Sequence, residues 1–311
     1  MMTEEPREAL SEETAEVGHA LPFPYHQQNF CRYEPIEKQI DQVTVLVVDS
    51  LLRNEDDLSD VARSDWGSGA ALEIKRERKI ATMALENIVS NVERLVKQPS
   101  THISHLASVA LSAERLKPHA IVISGTLRDF DYYNPEVIET FGEFIRDTRI
   151  PVLAICGGHQ LVGLSFGARV ITLDRLEQHE QRENRPLEYQ YRYVRITDPK
   201  DPIFHGIANP SSSLWQDYTT QSSLLRVWQN HGLQLDRVPD GFNLLATSYL
   251  CRNQMMVRRT GGQLIYTVQF HLEKSFEDWN KSRTRWEHQN ESRDGRIIFE
   301  NFLNLALAHS S

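Results

Sequence analysis

The sequence predicts an α/β fold in which helices flank a mostly parallel central sheet. Three short runs of β-branched and other apolar residues contain no polar residue, which is typical of strands buried on both faces: Val45–Val48 within a run that starts at Val43, Ala120–Ile123 and Pro151–Ile155. Each run leads through a polar or glycine-containing turn to a segment with helical spacing. Strands and helices that alternate over short turns favour a parallel sheet in a single domain.

The other elements follow in chain order. After the first strand, a long helical pattern extends from about Ala70 to Val96, with apolar residues on one stripe. A second helix is expected over Pro135–Arg146, where proline suits the first turn, and a third over His159–Phe166. The second half of the chain is richer in strand patterns, followed by an amphipathic helix: Tyr189–Ile196, Leu224–Trp228, Leu244–Thr247, Gln263–Phe270 and Arg296–Ala308.

Length and charge restrict the class of protein. The chain has 311 residues and a net charge of −9, which argues against a partner whose phosphate backbone must be neutralised, so no nucleic acid is expected. Residues 1–40 contain eight Glu against two Arg and one Lys, and we expect an acidic, flexible leader there, followed by one domain over residues 41–311. No apolar run is long enough for a membrane span, so no membrane partner is expected.

The cysteines and histidines do not form a metal or disulfide pattern. Cys31, Cys156 and Cys251 are an odd number and lie far apart, which suits a reducing compartment. The start of the chain lacks the pattern of a secretory signal, so we predict a cytoplasmic protein. His102 and His105 have no matching further ligands, and no phosphate-binding loop is present; neither a metal nor a cofactor is expected.

Cys156 has the surroundings of a nucleophile. It stands between a buried strand and a helix, with Ala154 two residues before it and Gly158 two residues after it. Small residues at these flanks permit the tight turn that presents a nucleophile at a helix N-terminus, where a thiolate is favoured. The amide of Gly157 would then face a developing oxyanion. The alternative is that Cys156 is a small buried apolar residue.

A base and its orienting group follow another predicted strand. His271 and Glu273 are two residues apart on an extended stretch, so their side chains point to the same side. Glu273 would hold the imidazole and stabilise its cation, as in a catalytic triad. A second oxyanion donor is expected in the loop at Gly125 and Thr126. Each motif alone occurs often by chance; together at strand ends of one sheet they predict catalysis.

Several motifs together resemble a known family. Ala-Ile-Cys-Gly-Gly-His-Gln-Leu around Cys156 and Val-Gln-Phe-His-Leu-Glu around His271 resemble the nucleophile and closing motifs of class I glutamine amidotransferases. The stretches starting at Asp201 and Val227 lie between them, and the latter is similar to the amidotransferase portion of GMP synthetase. The resemblance covers about Val43 to Ala308 with the motifs in order.

This resemblance implies a flavodoxin-like single domain and a γ-glutamyl thioester on Cys156. The small-molecule partner would be glutamine or another γ-glutamyl amide. By the same resemblance Gln160 would help to hold the substrate, and Asn230 and His231 would form another wall of its pocket. His159, in the nucleophile motif, is interpreted as structural.

The chain departs from the family pattern in three places. Leu272 stands where the family usually has proline, and Thr126 follows Gly125 where a second glycine is usual. A side chain at Thr126 would shift the oxyanion donor or narrow the pocket. Insertions are expected near residues 60–98 and 274–295. The second contains Phe276, Trp279 and Trp286, and it is either a solvated helix or a lid over a leaving group larger than ammonia.

Three functions remain open from the sequence. The first is a free-standing hydrolase that cleaves a γ-glutamyl amide through Cys156 and releases glutamate and an amine. The second is a glutaminase subunit that supplies ammonia to a separate synthetase subunit. The third is a non-catalytic binding or regulatory relative, which the complete set of Cys156, His271 and Glu273 makes the weakest.

Overall fold

The computed structural model describes residues 37–207, 224–274 and 293–310. Most of the predicted leader and most of the predicted insertion at 274–295, including Phe276, Trp279 and Trp286, therefore lie outside the described residues. Within the described ranges the chain forms a nine-stranded sheet, a two-stranded sheet and six α-helices.

Eleven strands, numbered in chain order, are β1 Ile40–Asp49, β2 Val96–His105, β3 Ala120–Ile123, β4 Val152–Ile155, β5 Val170–Thr172, β6 Glu188–Ile196, β7 Leu224–His231, β8 Leu233–Leu235, β9 Phe242–Thr247, β10 Met255–Arg258 and β11 Ile265–Val268. The large sheet has the order β2-β1-β3-β4-β11-β10-β9-β6-β7. The first five strands in this order are parallel, and the remaining pairings are antiparallel. Strands β5 and β8 form the small antiparallel sheet.

The helices are α1 Asp60–Trp66, α2 Ala70–Leu95, α3 Val109–Leu116, α4 Pro135–Asp147, α5 Gly157–Ser165 and α6 Arg293–Ser310. Local chemistry sets two of the starts. The hydroxyl of Ser59 accepts from the amide of Ala62 at the start of α1. The side chain of Asn134 caps α4, whose first residue is Pro135.

Two apolar cores cover the two faces of the parallel strands. Side chains alternate along β1, so that Val45 and Val47 enter one core and Leu46 and Val48 the other. The first core contains apolar residues of α2 and α6, and the second contains residues of α3, α4 and α5. Because both faces are covered, the carboxyl edge of these strands remains as the place for polar groups.

The fold class predicted from the sequence is confirmed, and β3 and the start of α2 fall where they were predicted. Strand β2 was not predicted, because it is an edge strand whose residues are mostly polar and of which only Val96 and Ser104 are buried; His102 and His105 lie in it. The short strand β10 was also missed. Among the described residues no helix has the length and apolar composition that crossing a membrane requires.

Candidate active site

Cys156 lies in the sharp turn between β4 and α5, at the carboxyl edge of the parallel strands. Its backbone has φ 51° and ψ −107°. This conformation costs a residue with a side chain about 1–3 kcal/mol and must be held by its surroundings. The amide of Cys156 donates to the carbonyl oxygen of Val268 over 2.7 Å, which ties the turn to β11. A strained turn of this kind is the geometry of a nucleophile elbow.

The two glycines predicted as oxyanion donors lie beside Cys156. A β-carbon built on Gly125 would stand 3.4 Å from Cβ of Cys156, 3.5 Å from Cε1 of His271 and 3.8 Å from the nitrogen of Gly157. A β-carbon on Gly157 would overlap the side chain of Thr126, so only glycine fits there. Because Gly157 is the first residue of α5, its amide has no acceptor within the helix. Thr126 therefore packs tightly against the elbow.

His271 and Glu273 follow β11 and face each other, with 2.6 Å between Nδ1 and Oε1. The amide of His271 donates to the carbonyl oxygen of Trp228 on β7 over 2.8 Å. Burial opposes the charge of the imidazole, but the carboxylate of Glu273 and the neighbouring sulfur of Cys156 outweigh it and raise the pKa of His271 to about 10. Burial likewise opposes the charge of Glu273, yet the neighbouring His271 lowers the pKa of that carboxyl. At neutral pH the pair is an imidazolium and a carboxylate.

A residue of the long helix α2 also holds Glu273. Nδ2 of Asn91 donates to the backbone carbonyl oxygen of Glu273 over 2.7 Å and to that of Asn87 over 2.8 Å. Asn91 is buried. No sequence pattern pointed to it, since an asparagine inside a helix is usually exposed. The insertion predicted near residues 60–98, which includes α2, thus contacts the residue that holds His271.

Two buried glutamines connect α5 and the end of β11 with the sulfur. Nε2 of Gln160 donates to the carbonyl oxygen of Leu233 over 3.1 Å and to Oε1 of Gln269 over 3.0 Å. Nε2 of Gln269 lies 3.7 Å from Sγ of Cys156, which is a hydrogen-bond distance for sulfur. The sequence motif contained Gln269, but its position two residues before His271 was not used as a signal.

The predicted pair Asn230 and His231 divides between the two faces of β7. His231 is buried; its Nδ1 faces the carbonyl oxygen of Leu233 at 2.9 Å, the same oxygen that accepts from Gln160. Asn230 is exposed and pairs in register with Tyr189 of β6. The hydrogen bonds of the described residues therefore link His231 to the group around Cys156 and leave Asn230 outside it.

A further buried cluster lies behind His231. Oε2 of Glu188 is 3.0 Å from Nε2 of His231, and Cys251 completes three potential metal-ligand atoms within 4.8 Å of one another. The oxygens of Glu188 already accept from Ser248 over 2.8 Å and from Gln254 over 2.6 Å. Because protein donors satisfy this carboxylate, we interpret the cluster as a hydrogen-bonded network that supports β6 and β7.

His159 has the surroundings of a structural residue, as its sequence context indicated. It is fully buried, and its Nδ1 lies 2.7 Å from Oγ1 of Thr267 on β11. Burial, with a smaller effect of the charge on His231, lowers the pKa of His159 to about 3. The ring is therefore neutral at every pH at which the protein would work.

Comparisons with known proteins indicate a family for this chain. A family model described as glutamine amidotransferase class-I matches residues 83–287. The glutamine-hydrolysing subunit of GMP synthase from Thermococcus kodakarensis is 31 % identical over 159 residues, which cover 51 % of this chain and 68 % of that protein. The protein of the same name from Methanothermobacter thermautotrophicus is 29 % identical over 163 residues, covering 52 % of this chain and 64 % of that protein.

One solved structure supports the fold. A crystal structure of a Thermoplasma acidophilum protein, described as a GMP synthase subunit, superposes with a TM-score of 0.54 at 22 % identity. The superposition covers 86 % of this chain and 96 % of that chain. The sequence matches, in contrast, span about two thirds of the length of the curated relatives.

Proposed function

Since a glutamine amidotransferase class-I model matches most of its length, the chain belongs to that family, and we propose that it hydrolyses a γ-glutamyl amide through a thioester on Cys156. One observation carries the proposal. His271 lies beside the nucleophile, since one β-carbon built on Gly125 would stand 3.4 Å from Cβ of Cys156 and 3.5 Å from Cε1 of His271, and its Nδ1 lies 2.6 Å from the buried carboxylate of Glu273. This is the nucleophile, base and orienting group that acyl transfer requires.

The charges support a definite order of proton transfers. With a pKa of about 10, His271 holds its proton at neutral pH, so the sulfur faces an imidazolium that stabilises a thiolate. The thiolate attacks the γ-carbonyl carbon, and the oxyanion that forms accepts from the amide of Gly157 and from the loop at Gly125 and Thr126. The proton on Nε2 of His271 then goes to the leaving nitrogen as its bond to carbon breaks.

The second half of the reaction uses water. After the amine or ammonia departs, neutral His271 removes a proton from a water molecule that attacks the thioester. The carbon–sulfur bond breaks, the acyl group leaves as glutamate, and the sulfur is again an anion beside an imidazolium. Glu273 keeps Nδ1 of the ring protonated through both steps, because its carboxylate lies at 2.6 Å.

The side-chain oxygen of Gln160 is the atom that would accept a hydrogen bond from a γ-glutamyl substrate. Both hydrogens of its amide nitrogen are committed to Leu233 and Gln269, so only its oxygen is available to a substrate. An acceptor at this place suits the α-ammonium group of glutamine. We assign His231 an indirect role, through the carbonyl oxygen of Leu233 that it shares with Gln160.

A second candidate concerns the destination of the amine. Relatives of this chain are named as the glutamine-hydrolysing subunit of GMP synthase, which favours a role in passing ammonia to a separate synthetase. The chemistry at Cys156 would be the same, and the leaving group would be ammonia. The hydrolase of a substituted amide stays the first candidate because Thr126, which stands where the family usually has a second glycine, packs against Gly157 beside the nucleophile.

A panel of amides distinguishes these functions. Glutamate release from glutamine and from γ-glutamyl amides with larger amines is measured for the wild type and for Cys156→Ala. Fast, Cys156-dependent turnover of a substituted amide supports the hydrolase. Slow, Cys156-dependent turnover of glutamine alone supports the ammonia-supplying role. Release that is unchanged in Cys156→Ala would contradict both, and no release from any amide would support the non-catalytic relative.

A further inference from the structure

The hydrogen bonds around the sulfur determine which way the amide of Gln269 faces. The carbonyl oxygen of Leu233 can only accept, so the group of Gln160 that lies 3.1 Å from it must be the nitrogen. That nitrogen also lies 3.0 Å from the Gln269 amide, which must therefore present its oxygen. The nitrogen of Gln269 is consequently directed at Sγ of Cys156, at 3.7 Å.

From this relay we propose that Gln269 is a catalytic residue whose amide donates to the sulfur of Cys156 and holds it as a thiolate. The proposal rests on the function proposed above, in which Cys156 is the nucleophile. The amide nitrogen of Gln269 is a donor 3.7 Å from the sulfur. A donor directed at the sulfur suits the anion, since a thiol would need an acceptor for its own hydrogen.

Packing alone does not explain this glutamine. The side chain of Gln269 is fully buried, where an apolar residue would need no hydrogen-bond partner. Its backbone is already fixed, because the amide donates to the carbonyl oxygen of Gln254 over 2.8 Å. The side-chain amide is therefore not required to hold the segment, and its hydrogen bonds go to Gln160 and the sulfur.

The relay also joins substrate binding to the nucleophile. Gln160, whose oxygen is assigned to the substrate, fixes the amide of Gln269, and Gln269 contacts the sulfur. A donor beside the sulfur favours the thiolate before attack, and this interaction weakens once the sulfur carries the acyl group as a thioester. Loss of the donor should therefore be felt mainly in the supply of thiolate at low pH.

The test measures how fast iodoacetamide alkylates Cys156 across pH, with the modified peptide identified by mass spectrometry. For Gln269→Leu we expect the pH midpoint of Cys156 alkylation to rise. Alkylation should be about tenfold slower than in the wild type at about pH 6 and should reach the wild-type rate at high pH. Gln269→Glu, which retains the acceptor for Gln160 but adds a negative charge, should raise the midpoint further. Gln160→Leu, which frees the amide of Gln269 to rotate, should raise it less.

Gln263 provides a matched control, since it is also a buried glutamine with partners for its amide nitrogen. Its nitrogen donates to the carbonyl oxygens of Ile145, Arg146 and Thr148 at the end of α4. Gln263→Leu should lower the melting temperature and leave the alkylation midpoint of Cys156 in place. A shift in Gln263→Leu equal to that in Gln269→Leu would overturn the proposal, because general loosening would then explain both.

The outcomes separate this inference from the proposed function. An unchanged midpoint in both Gln269 variants, with wild-type turnover still dependent on Cys156, would overturn the role of Gln269 alone. If Gln269→Leu does not fold, the pH midpoint of Cys156 alkylation in Gln269→Glu is the test, and a midpoint equal to that of the wild type overturns the role of Gln269. Glutamate release that does not depend on Cys156 in the wild type would instead overturn the proposed function.

Discussion

His159 lies in the motif around Cys156 and His271 in the motif after β11, and their charge states differ: at neutral pH His159 is neutral and His271 is cationic. His159 lies inside the contact between α5 and β11, where a threonine hydroxyl is its hydrogen-bond partner, and burial lowers its pKa to about 3. His271 lies just past the end of β11, where Glu273 and Cys156 overcome burial and raise its pKa to about 10. Burial is thus the main reason that His159 is neutral, whereas a carboxylate at 2.6 Å is the main reason that His271 is cationic.

Exchanging the two histidines for glutamine should give the largest contrast. For His271→Gln we expect about 10²–10⁴-fold slower glutamate release, because the proton donor to the leaving nitrogen is lost. For His159→Gln we expect release within about a factor of three of the wild type, with a lower melting temperature, since no reacting atom is touched. Steady-state kinetics and thermal unfolding of both variants make the comparison. Equal losses of turnover in His271→Gln and His159→Gln would contradict the different roles given to the two histidines.

Removing the negative charge of Glu273 should lower the pKa of His271 toward that of His159. In Glu273→Gln the pKa of His271 should fall from about 10, so that the limb of the pH–rate profile that declines at high pH moves to lower pH. At neutral pH we expect roughly 100-fold slower release, since the imidazolium and its orientation are both weakened. A full pH profile measures the limb. If the high-pH limb of the pH–rate profile does not move in a folded Glu273→Gln variant, the carboxylate is not the source of the charge on His271.

The pH dependence of stability should separate the two regions without any substrate. His159 has a pKa of about 6.5 in the unfolded chain and of about 3 in the folded protein. Between these pH values the unfolded chain binds the proton more tightly, so the free energy of unfolding falls as the pH drops. The folded pKa of His271 is raised, so its contribution is fully present below about pH 6.5 and is lost as the pH rises toward 10.

Chemical denaturation across pH checks both signs. His159→Gln should flatten the acid side of the stability curve, and Glu273→Gln should flatten the alkaline side. The opposite assignment of the two slopes would show that the charge states of the two histidines are reversed.

The contact from α2 should have the smallest effect. Asn91→Ala removes the donor to the carbonyl oxygen of Glu273, and we expect about a fivefold slower release with an alkaline limb shifted slightly downward. Asn91 acts through Glu273 and is therefore a positioning residue. Asn87, whose carbonyl oxygen accepts from Asn91, offers the matched control, since Asn87→Ala retains that backbone acceptor. A shift of the limb in Asn87→Ala as large as in Asn91→Ala would contradict the role of the contact with Glu273.

The sequence predicted the parts of the molecule whose information is local. Cys156 with its small flanking residues, and His271 two residues before Glu273, lie in short motifs at strand ends, so their proximity follows from the parallel sheet. Strand β3 was predicted with its full range because its four residues are all apolar and buried. The catalytic roles themselves remain predictions.

Other features depend on contacts between distant segments. Asn91 and Glu273 are 182 positions apart, and no pattern within α2 signals their hydrogen bond. The direction of the Gln269 amide follows only from Leu233 and Gln160 together. Strand β2 escaped prediction because an exposed edge strand needs no apolar alternation. Asn230 and His231 were predicted as one wall, but residues next to each other on a strand face opposite sides.

The proposed chemistry requires the sulfur of Cys156 to carry the acyl group. Rapid acid quench during turnover of glutamine or a γ-glutamyl amide, followed by mass spectrometry of the peptide that contains Cys156, detects that group. We predict a γ-glutamyl adduct on Cys156 that appears in the first turnover of the wild type. In His271→Gln the adduct should form more slowly and persist longer. In Cys156→Ala both the adduct and glutamate release should be absent. Glutamate release in the wild type without any adduct, and equal release in Cys156→Ala, would contradict the thioester.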